Sequence, residues 1–206
     1  MKIFGTSNPS FVEVFDDVLT SFECDLLISE FDKQKAYDGM VGRDGQPLLD
    51  SEHKKCKQLK DSDITKSGTI NSLVSTVSVN LLKKYFSKYQ EQFSHYTTWS
   101  VYDEYSFQKY EDETDGYKAW HCEHGGGSVC SSRVLAWMVY LNDAKSGTEF
   151  LNYPKVNAKK GRGVVWPAFW THVHRSELPN KGLKYIITGW ANLDQSNIKY
   201  DDILFS

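Results

Sequence analysis

Hydrophobic and polar residues follow two different spacings along this chain of 206 residues. In the first part the spacing is helical, because residues 71–91 carry one apolar stripe with Lys, Ser and Gln on the opposite side. The stripe consists of Val74, Val77, Leu81, Leu82, Tyr85, Phe86 and Tyr89. It predicts a helix over residues 71–91 that packs its apolar side on a sheet.

The other N-terminal residues predict a short strand, an earlier helix and a long polar segment. Residues 11–18 have the pattern of a strand. Thr20 and Glu23 have the spacing of a capping box, in which a hydroxyl and a carboxylate three residues later close the start of a helix. Residues 37–70 are rich in Lys, Asp and Gly, so we expect long irregular loops there, with a flap over a site as one use.

After Thr97 the chain changes to short runs rich in Val, Ile, Tyr and Trp, separated by Gly, Asn, Asp and Pro. The four clearest runs are TTWSVYDEYSFQKY, SRVLAWMVYLN, GRGVVWPAF and LKYIITGW. Short strands at this spacing predict a β-barrel or a β-sandwich. The helices therefore come first, and roughly 110 residues of β-structure follow.

Composition narrows the class of protein. Hydrophobic residues make up 40% and aromatic residues 14%, which allows a substantial core and argues against disorder. The 24 Lys and Arg and 27 Asp and Glu are interleaved without a basic patch, so nucleic acid is not an expected partner. No apolar run is long enough to span a membrane, the N-terminus lacks a secretory pattern and the four cysteines are scattered. We therefore expect a cytoplasmic protein.

The segment AWHCEHGGG, residues 119–127, concentrates chemically reactive side chains. If this segment is extended, His121 and Glu123 project to one side and Cys122 to the other. A histidine and a carboxylate from one strand, with one distant histidine, form the ligand set of non-haem Fe(II) oxygenases. His172 and His174 are the candidates for the distant ligand.

The same residues allow other interpretations. A His-x-His pair also suits zinc, and His124, Cys122 or Cys130 could take part in a zinc enzyme or a structural zinc site. The two cysteines lack the close spacing of structural zinc motifs. Cys122 could also be a nucleophile activated by a histidine, although nothing like the signature of such an enzyme surrounds it.

The C-terminal half resembles the Fe(II)/2-oxoglutarate-dependent dioxygenases of the prolyl 4-hydroxylase-like kind, from about Val101 to Trp190. Matching segments occur in the family's order: FQKYEDETDGYKAWHCE, RVLAWMVYLND, GTEF, KKGRGVVWPAFWTHVH and LKYIITGW. The resemblance implies an α+β fold, a double-stranded β-helix (a jelly-roll or cupin-like barrel) with N-terminal helices packed on its major sheet. It implies a single dioxygenase domain over residues 1–206, with helical support and loops in 1–96, the β-helix core in 97–195 and a C-terminal tail in 196–206.

The resemblance also implies the metal ligands. In collagen-type prolyl hydroxylases the second histidine ligand lies ten residues before a lysine that binds the far carboxylate of 2-oxoglutarate. His174 lies ten residues before Lys184, whereas His172 lies twelve before it. We therefore expect His121, Glu123 and His174 to be the catalytic metal ligands, with His172 in support of them.

The expected cosubstrate site follows from the same resemblance. A buried 2-oxoglutarate dianion needs a cation at its far end, which Lys184 supplies. Thr188 lies four residues further along the same strand face and can donate a hydroxyl. Tyr110 and Tyr140 match the pocket tyrosines of the family, whose phenol groups can reach a carboxylate.

One residue departs from the family pattern. The carboxylate ligand is usually Asp, but Glu123 occupies the position here. The additional methylene moves the carboxylate oxygens by roughly a bond length, so the backbone must lie slightly further back. His124 is the neighbour that would replace a ligand if the strand bulged.

The family resemblance implies a hydroxylase that uses Fe(II), 2-oxoglutarate and O₂, with ascorbate as an optional addition. A peptide or protein containing proline is the leading substrate. Four tryptophans near the motifs could stack on a proline ring, although such residues are more commonly core: Trp120, Trp137, Trp166 and Trp170. The alternative is a non-catalytic β-helix that serves as a binding or structural module. No membrane partner is expected, and the oligomeric state stays open.

Overall fold

A computed structural model of the chain describes residues 9–43, 46–64, 68–94, 99–101, 105–126 and 130–193. The predicted C-terminal tail, residues 196–206, lies outside these ranges, as do residues 97, 98 and 102–104 of the first predicted β-run. Among the described helices, none combines the length and the apolar character that crossing a bilayer requires.

The helices lie in the N-terminal part of the chain, as predicted. They are α1 (Ser21–Asp32), α2 (Asp61–Ile64), α3 (Gly68–Lys88) and α4 (Gln90–Phe93). The predicted capping box begins α1: the Glu23 N–H donates to Thr20 Oγ1 at 3.2 Å, and the Thr20 N–H donates to Glu23 Oε2 at 2.7 Å. Helix α3 confirms the predicted long helix but ends at Lys88, so Tyr89 follows it; every residue of the predicted apolar stripe is buried.

Most of the described β-structure belongs to one sheet. The strands are β1 (Glu13–Phe15), β2 (Tyr37–Asp38), β3 (Val41–Arg43), β4 (Gln46–Leu48), β5 (Lys54–Lys55), β6 (Lys57–Lys60), β7 (Trp99–Val101), β8 (Ser106–Tyr110), β9 (Gly116–Tyr117), β10 (Arg133–Tyr140), β11 (Thr148–Phe150), β12 (Arg162–Pro167), β13 (His174–Ser176) and β14 (Lys184–Leu193). The major sheet has the order β1-β12-β10-β14-β8-β6-β2, with β7 also paired to β14, and all its pairs are antiparallel.

The two faces of the major sheet contact different hydrophobic clusters. Along β10, Leu135, Trp137 and Val139 belong to the cluster shared with α1 and α3, which we call the helix-side cluster. Met138 and Tyr140 belong to a second cluster, which we call the barrel interior. This alternation is the period of two expected of a strand. The predicted packing of the N-terminal helices on the major sheet is confirmed.

A smaller set of strands closes the barrel over its interior. Strands β11 and β13 pair with each other, and Phe150 of β11 packs in the barrel interior. Isolated backbone bridges join His121 to His174 and Thr148 to Val156 next to this pair. A major sheet and a minor set of strands around one interior form the predicted α+β double-stranded β-helix.

The prediction of irregular loops over residues 37–70 is wrong in part. This segment forms β2 to β6, and β6 joins the major sheet beside β8. Leu59 lies opposite Phe107 in that pair and is buried with it. Strand β6 has only four residues, KQLK, with a lysine at each end, so its apolar signal is too short to detect. Its stability comes from the pairing with β8.

Candidate metal centre and cosubstrate site

Three side chains from two distant segments converge at one end of the barrel interior. His121 and His174 pair through their backbones: the His121 N–H donates to the His174 carbonyl at 3.1 Å, and the His174 N–H donates back at 2.9 Å. The Glu123 and His124 N–H groups both donate to the Ala168 carbonyl, at 3.0 and 2.9 Å. The backbone therefore fixes where each side chain starts.

The predicted extended strand over residues 121–123 is wrong. Only His121 forms a bridge there, and the chain leaves the extended path after it because two successive N–H groups converge on one carbonyl. The side chains of His121 and Glu123 nevertheless lie on the same side. Cys122 turns away, and its Sγ donates to the His124 carbonyl at 3.2 Å.

The ligand atoms of these three residues have a geometry suited to a metal ion. Glu123 Oε1 lies 3.6 Å from His121 Nε2 and 3.5 Å from His174 Nε2. In the part of the chain that the structure describes, His121, Glu123 and His174 are the one such group of three, with ligand atoms within 4.8 Å of one another. The assignment of these residues as iron ligands stays a prediction.

Hydrogen bonds orient both imidazole rings toward the carboxylate. His121 Nδ1 lies 3.0 Å from the Ala119 carbonyl, and His174 Nδ1 lies 3.0 Å from the His172 carbonyl. A carbonyl can only accept, so each Nδ1 carries a proton, and Nε2 is the ring nitrogen that faces Glu123. Two Nε2 atoms and one carboxylate oxygen therefore face one point, an arrangement suited to a divalent cation.

Electrostatics favour the protonation states that a metal site needs. Burial lowers the pKa of His121, against the opposing effect of Glu123, which favours the neutral ring. Burial also opposes ionisation of Glu123, but the neighbouring His121 and His174 hold its pKa well below the usual range. Both directions suit a metal site, because a metal ion binds the ionised carboxylate and the deprotonated Nε2 of a neutral imidazole.

Lys184, which is predicted to bind the cosubstrate, is buried. Its side chain enters the barrel interior from β14 and is 2% exposed. Among the described residues no carboxylate pairs with it, and its Nζ lies 4.8 Å from the centre of the Tyr110 ring on the neighbouring strand. Burial lowers the pKa of Lys184 to about 8. An unpaired buried ammonium is costly, and the far carboxylate of a dianion would compensate it.

The other predicted cosubstrate residues have mixed placements. Tyr110 donates to the side chain of Gln108, and the Tyr140 hydroxyl lies 2.7 Å from Thr148 Oγ1, so both phenols end in the barrel interior. Thr188 shares the face of Lys184, but its hydroxyl donates to the Trp137 carbonyl at 3.0 Å. Because a hydroxyl has one proton, Thr188 cannot donate to a cosubstrate in this arrangement.

The structure also adds residues that the sequence analysis missed. The Tyr117 ring stacks on His121 with the ring centres 3.5 Å apart, and Trp190 Nε1 donates to Glu123 Oε2 at 2.8 Å. Arg133 Nη1 lies 3.6 Å from the same oxygen. Trp190 had a detectable signal, because it lies six residues after Lys184 on the same face of one strand. Tyr117 had none, because its place depends on the pairing of β9 with β5.

The alternative histidines have partners away from this centre. Both nitrogens of His172 are engaged, Nε2 at 2.8 Å from the Ser10 carbonyl and Nδ1 at 2.8 Å from Thr171 Oγ1. His172 contributes its backbone carbonyl to His174 instead. The His124 ring packs on Phe169, with Nδ1 3.2 Å from the Arg133 carbonyl.

The cysteines do not support a zinc site. Both Cys122 and Cys130 are free thiols. Within the described ranges, neither belongs to a group of side chains that could hold a metal ion. Of the four tryptophans considered for substrate stacking, Trp137 is excluded because it lies in the helix-side cluster.

Comparison with known proteins agrees with this geometry. Residues 105–192 match the model of the 2OG-Fe(II) oxygenase superfamily, a range that includes all seven predicted site residues. None of the curated proteins matches the sequence significantly.

Several solved structures share the fold. The 2OG complex of a viral collagen prolyl hydroxylase from Paramecium Bursaria Chlorella virus-1 is 16% identical, with 92% of this chain and 100% of that one covered and a TM-score of 0.64. A Trichoplax adhaerens prolyl hydroxylase in complex with a hypoxia inducible factor peptide fragment is 14% identical, with coverages of 90% and 85% and a TM-score of 0.67. A Pseudomonas putida prolyl-4-hydroxylase is 14% identical, with coverages of 89% and 93% and a TM-score of 0.60. These similarities confirm the predicted fold class.

Proposed function

We propose that the chain, whose residues 105–192 match the model of the 2OG-Fe(II) oxygenase superfamily, is a 2-oxoglutarate-dependent dioxygenase that hydroxylates a proline in a peptide or protein. In this proposal His121, Glu123 and His174 hold the Fe(II), and the whole chain of 206 residues acts as one domain. The observation that carries the proposal is the convergence of two Nε2 atoms and a carboxylate oxygen on one point.

Bound Fe(II), with 2-oxoglutarate and O₂, supplies the oxidising chemistry that turns a C–H bond into C–OH and releases succinate and CO₂. The protein residues position the metal ligands and the cosubstrate. The Ala119 and His172 carbonyls fix the proton of each ligand histidine at Nδ1, which keeps Nε2 free for the metal. Lys184 supplies a positive charge for the far carboxylate of 2-oxoglutarate.

A second group of residues keeps water away from the proposed centre. Phe150 and Trp166 pack on the His174 ring, with ring centres 5.6 and 4.9 Å apart, and Tyr117 covers the His121 ring. Aromatic rings packed around ligand histidines lower the local dielectric constant and strengthen the contacts between the metal and its ligands.

A proline-containing substrate is supported by the solved relatives, which are named as prolyl hydroxylases, one of them in complex with a peptide fragment. The chain also exposes Trp120 and Trp170, which lie one residue before His121 and four residues before His174. An exposed aromatic ring can stack on a proline ring.

A peptide panel with matched variants tests this function. The protein is incubated with Fe(II), 2-oxoglutarate and proline-containing peptides, and succinate release is measured together with a product about 16 Da heavier, as expected for one added oxygen. Peptides in which alanine replaces proline serve as controls. An oxygenated product that forms equally well on the alanine peptides would reject proline as the target. If no peptide stimulated succinate release, peptides would be rejected as the class of substrate.

A further inference from the structure

We propose that Trp190 and Arg133 are positioning residues that hold the long side chain of Glu123 so that one carboxylate oxygen, Oε1, faces the metal. This inference rests on the proposed function, because it assumes that Glu123 is a metal ligand. It explains how a glutamate can serve in a position that the family usually fills with aspartate.

The two carboxylate oxygens of Glu123 have different surroundings. Oε1 faces the imidazoles of His121 and His174, at 3.6 and 3.5 Å. Oε2 accepts a hydrogen bond from Trp190 Nε1 at 2.8 Å. An indole N–H is a donor only, so this contact assigns Oε2 to Trp190 and leaves Oε1 for the metal.

Arg133 contacts both members of this pair. Its guanidinium carbon lies 3.6 Å from the centre of the Trp190 ring, which is close cation–π stacking. Its Nη1 lies 3.6 Å from Glu123 Oε2 and 3.5 Å from the Glu123 carbonyl oxygen. Arg133 therefore fixes the plane of the indole. It also places a positive charge next to Oε2, the oxygen that does not face the imidazoles.

The strands place both residues beside the ligand. Trp190 lies opposite Ala136 in the pair of β14 with β10, and a register irregularity follows Arg133 at the start of β10. Arg133, Glu123 and Trp190 are all largely or partly buried, so the contacts form where water competes weakly.

The length of the Glu123 side chain explains why positioning residues are needed. A glutamate has one more rotatable bond than an aspartate, so it loses more conformational freedom when it binds a metal in one geometry. A hydrogen bond to the second oxygen selects that geometry in advance. Outer partners of metal ligands typically change metal affinity by about 10- to 100-fold.

Metal binding by variants tests the inference without an activity assay. Mn²⁺ is titrated into the protein and free Mn²⁺ is measured by electron paramagnetic resonance. We expect Trp190→Phe to raise the Kd for Mn²⁺ by about tenfold or more, because the hydrogen-bond donor is lost while an aromatic ring remains. Trp137→Phe is the matched control: this indole is on the other face of the same sheet, and its Nε1 has no hydrogen-bond partner in the described structure. Its Kd should stay within twofold of the unmodified protein.

A double-mutant cycle separates positioning from packing. Asp in place of Glu123 draws the carboxylate back by about one bond length, away from Trp190. If the indole acts through the glutamate, Trp190→Phe has little effect on the Kd in the Glu123→Asp protein. An equal effect in both backgrounds would overturn the inference. So would an unchanged Kd in Trp190→Phe.

Two further measurements keep the outcome decisive. Arg133→Lys keeps the positive charge but loses the planar stacking on the Trp190 ring. It should also weaken Mn²⁺ binding, and an unchanged Kd would count against the positioning role even if Trp190→Phe failed to fold. The unmodified protein distinguishes this inference from the proposed function. If the unmodified protein binds no Mn²⁺, the metal site itself is refuted. If it binds Mn²⁺ and substitution of Trp190 or Arg133 leaves the Kd unchanged, only the positioning role is refuted.

Discussion

The two faces of the major sheet are built from the same strands but bury different kinds of side chain. On the helix side, Tyr185 and Ile187 of β14 join a cluster of apolar side chains from α1 and α3. On the interior side, Lys184 of the same strand is buried together with Gln108 and His174. The helix side therefore buries mainly hydrophobic surface, whereas the interior adds charged and hydrogen-bonding groups to its own hydrophobic cluster.

This difference indicates how the domain divides its tasks. Burial of apolar side chains between helices and sheet stabilises the fold. Burial of an unpaired ammonium and of converging ligand atoms destabilises it, and such groups persist where they serve chemistry. Substitutions on the two faces should therefore separate: interior variants should lose chemistry, and helix-side variants should lose stability.

The largest effect is expected from His174→Ala. Loss of one metal ligand should abolish succinate release, a drop of about 10³-fold or more, equivalent to roughly 4 kcal/mol of barrier. His172→Ala is the matched variant two residues away. It should only weaken the activity, because His172 supports His174 through a backbone carbonyl that alanine retains. Succinate assays on both folded variants test this difference. Equal losses of activity would contradict the assignment of His174, and not His172, as the distal metal ligand.

Leu82→Ala tests the opposite face. Leu82 is fully buried in the helix-side cluster, and its truncation should lower the free energy of unfolding by about 3 kcal/mol through lost burial and a cavity. Denaturant unfolding measures this change. Below the unfolding transition, the Kd values for Mn²⁺ and 2-oxoglutarate should match those of the unmodified protein. A folded Leu82→Ala protein that had lost either ligand would show that the two faces are not independent.

The elements with strong periodicity could be predicted from the sequence. The stripe on α3 and the apolar, β-branched and aromatic runs of β10, β12 and β14 extend over enough residues to give a clear pattern. Strand β6 could not be predicted, because its four residues gain their stability from pairing with a strand about fifty positions away. Local patterns carry no information about such pairing.

The candidate site shows the same limit. Spacing identified His121, Glu123 and His174, and the structure brings them together by a turn in the backbone and not by the predicted strand. Tyr117 and Arg133 were missed because their roles depend on which segments meet in three dimensions. Distances of this kind follow from the tertiary fold and not from the spacing of residues along the chain.

Lys184→Met should give the smallest of the three effects on free energy and the sharpest test of the comparison. A charge-assisted contact to a carboxylate contributes about 1.5–3 kcal/mol, so the variant should bind 2-oxoglutarate roughly 10- to 100-fold more weakly. Calorimetric titration with 2-oxoglutarate measures the Kd. Lys109→Met is the control, because Lys109 lies on the adjacent strand but pairs with Asp32 and Glu111 at the surface. An unchanged Kd in Lys184→Met would reject the proposed role.

The same variant should be more stable than the unmodified protein when no ligand is present, because it removes a buried ammonium without a carboxylate partner in the described structure. The pH dependence follows from the pKa of Lys184, which burial lowers from 10.5 to about 8. Between these values the folded protein binds fewer protons than the unfolded chain, so the unmodified protein gains stability as pH rises. The advantage of Lys184→Met should therefore be largest below pH 8 and shrink toward pH 10.5. Binding of 2-oxoglutarate to the unmodified protein should weaken above pH 8 as the ammonium loses its proton. A melting temperature that falls in Lys184→Met at neutral pH would mean that Lys184 stabilises the fold, contrary to the division between the two faces.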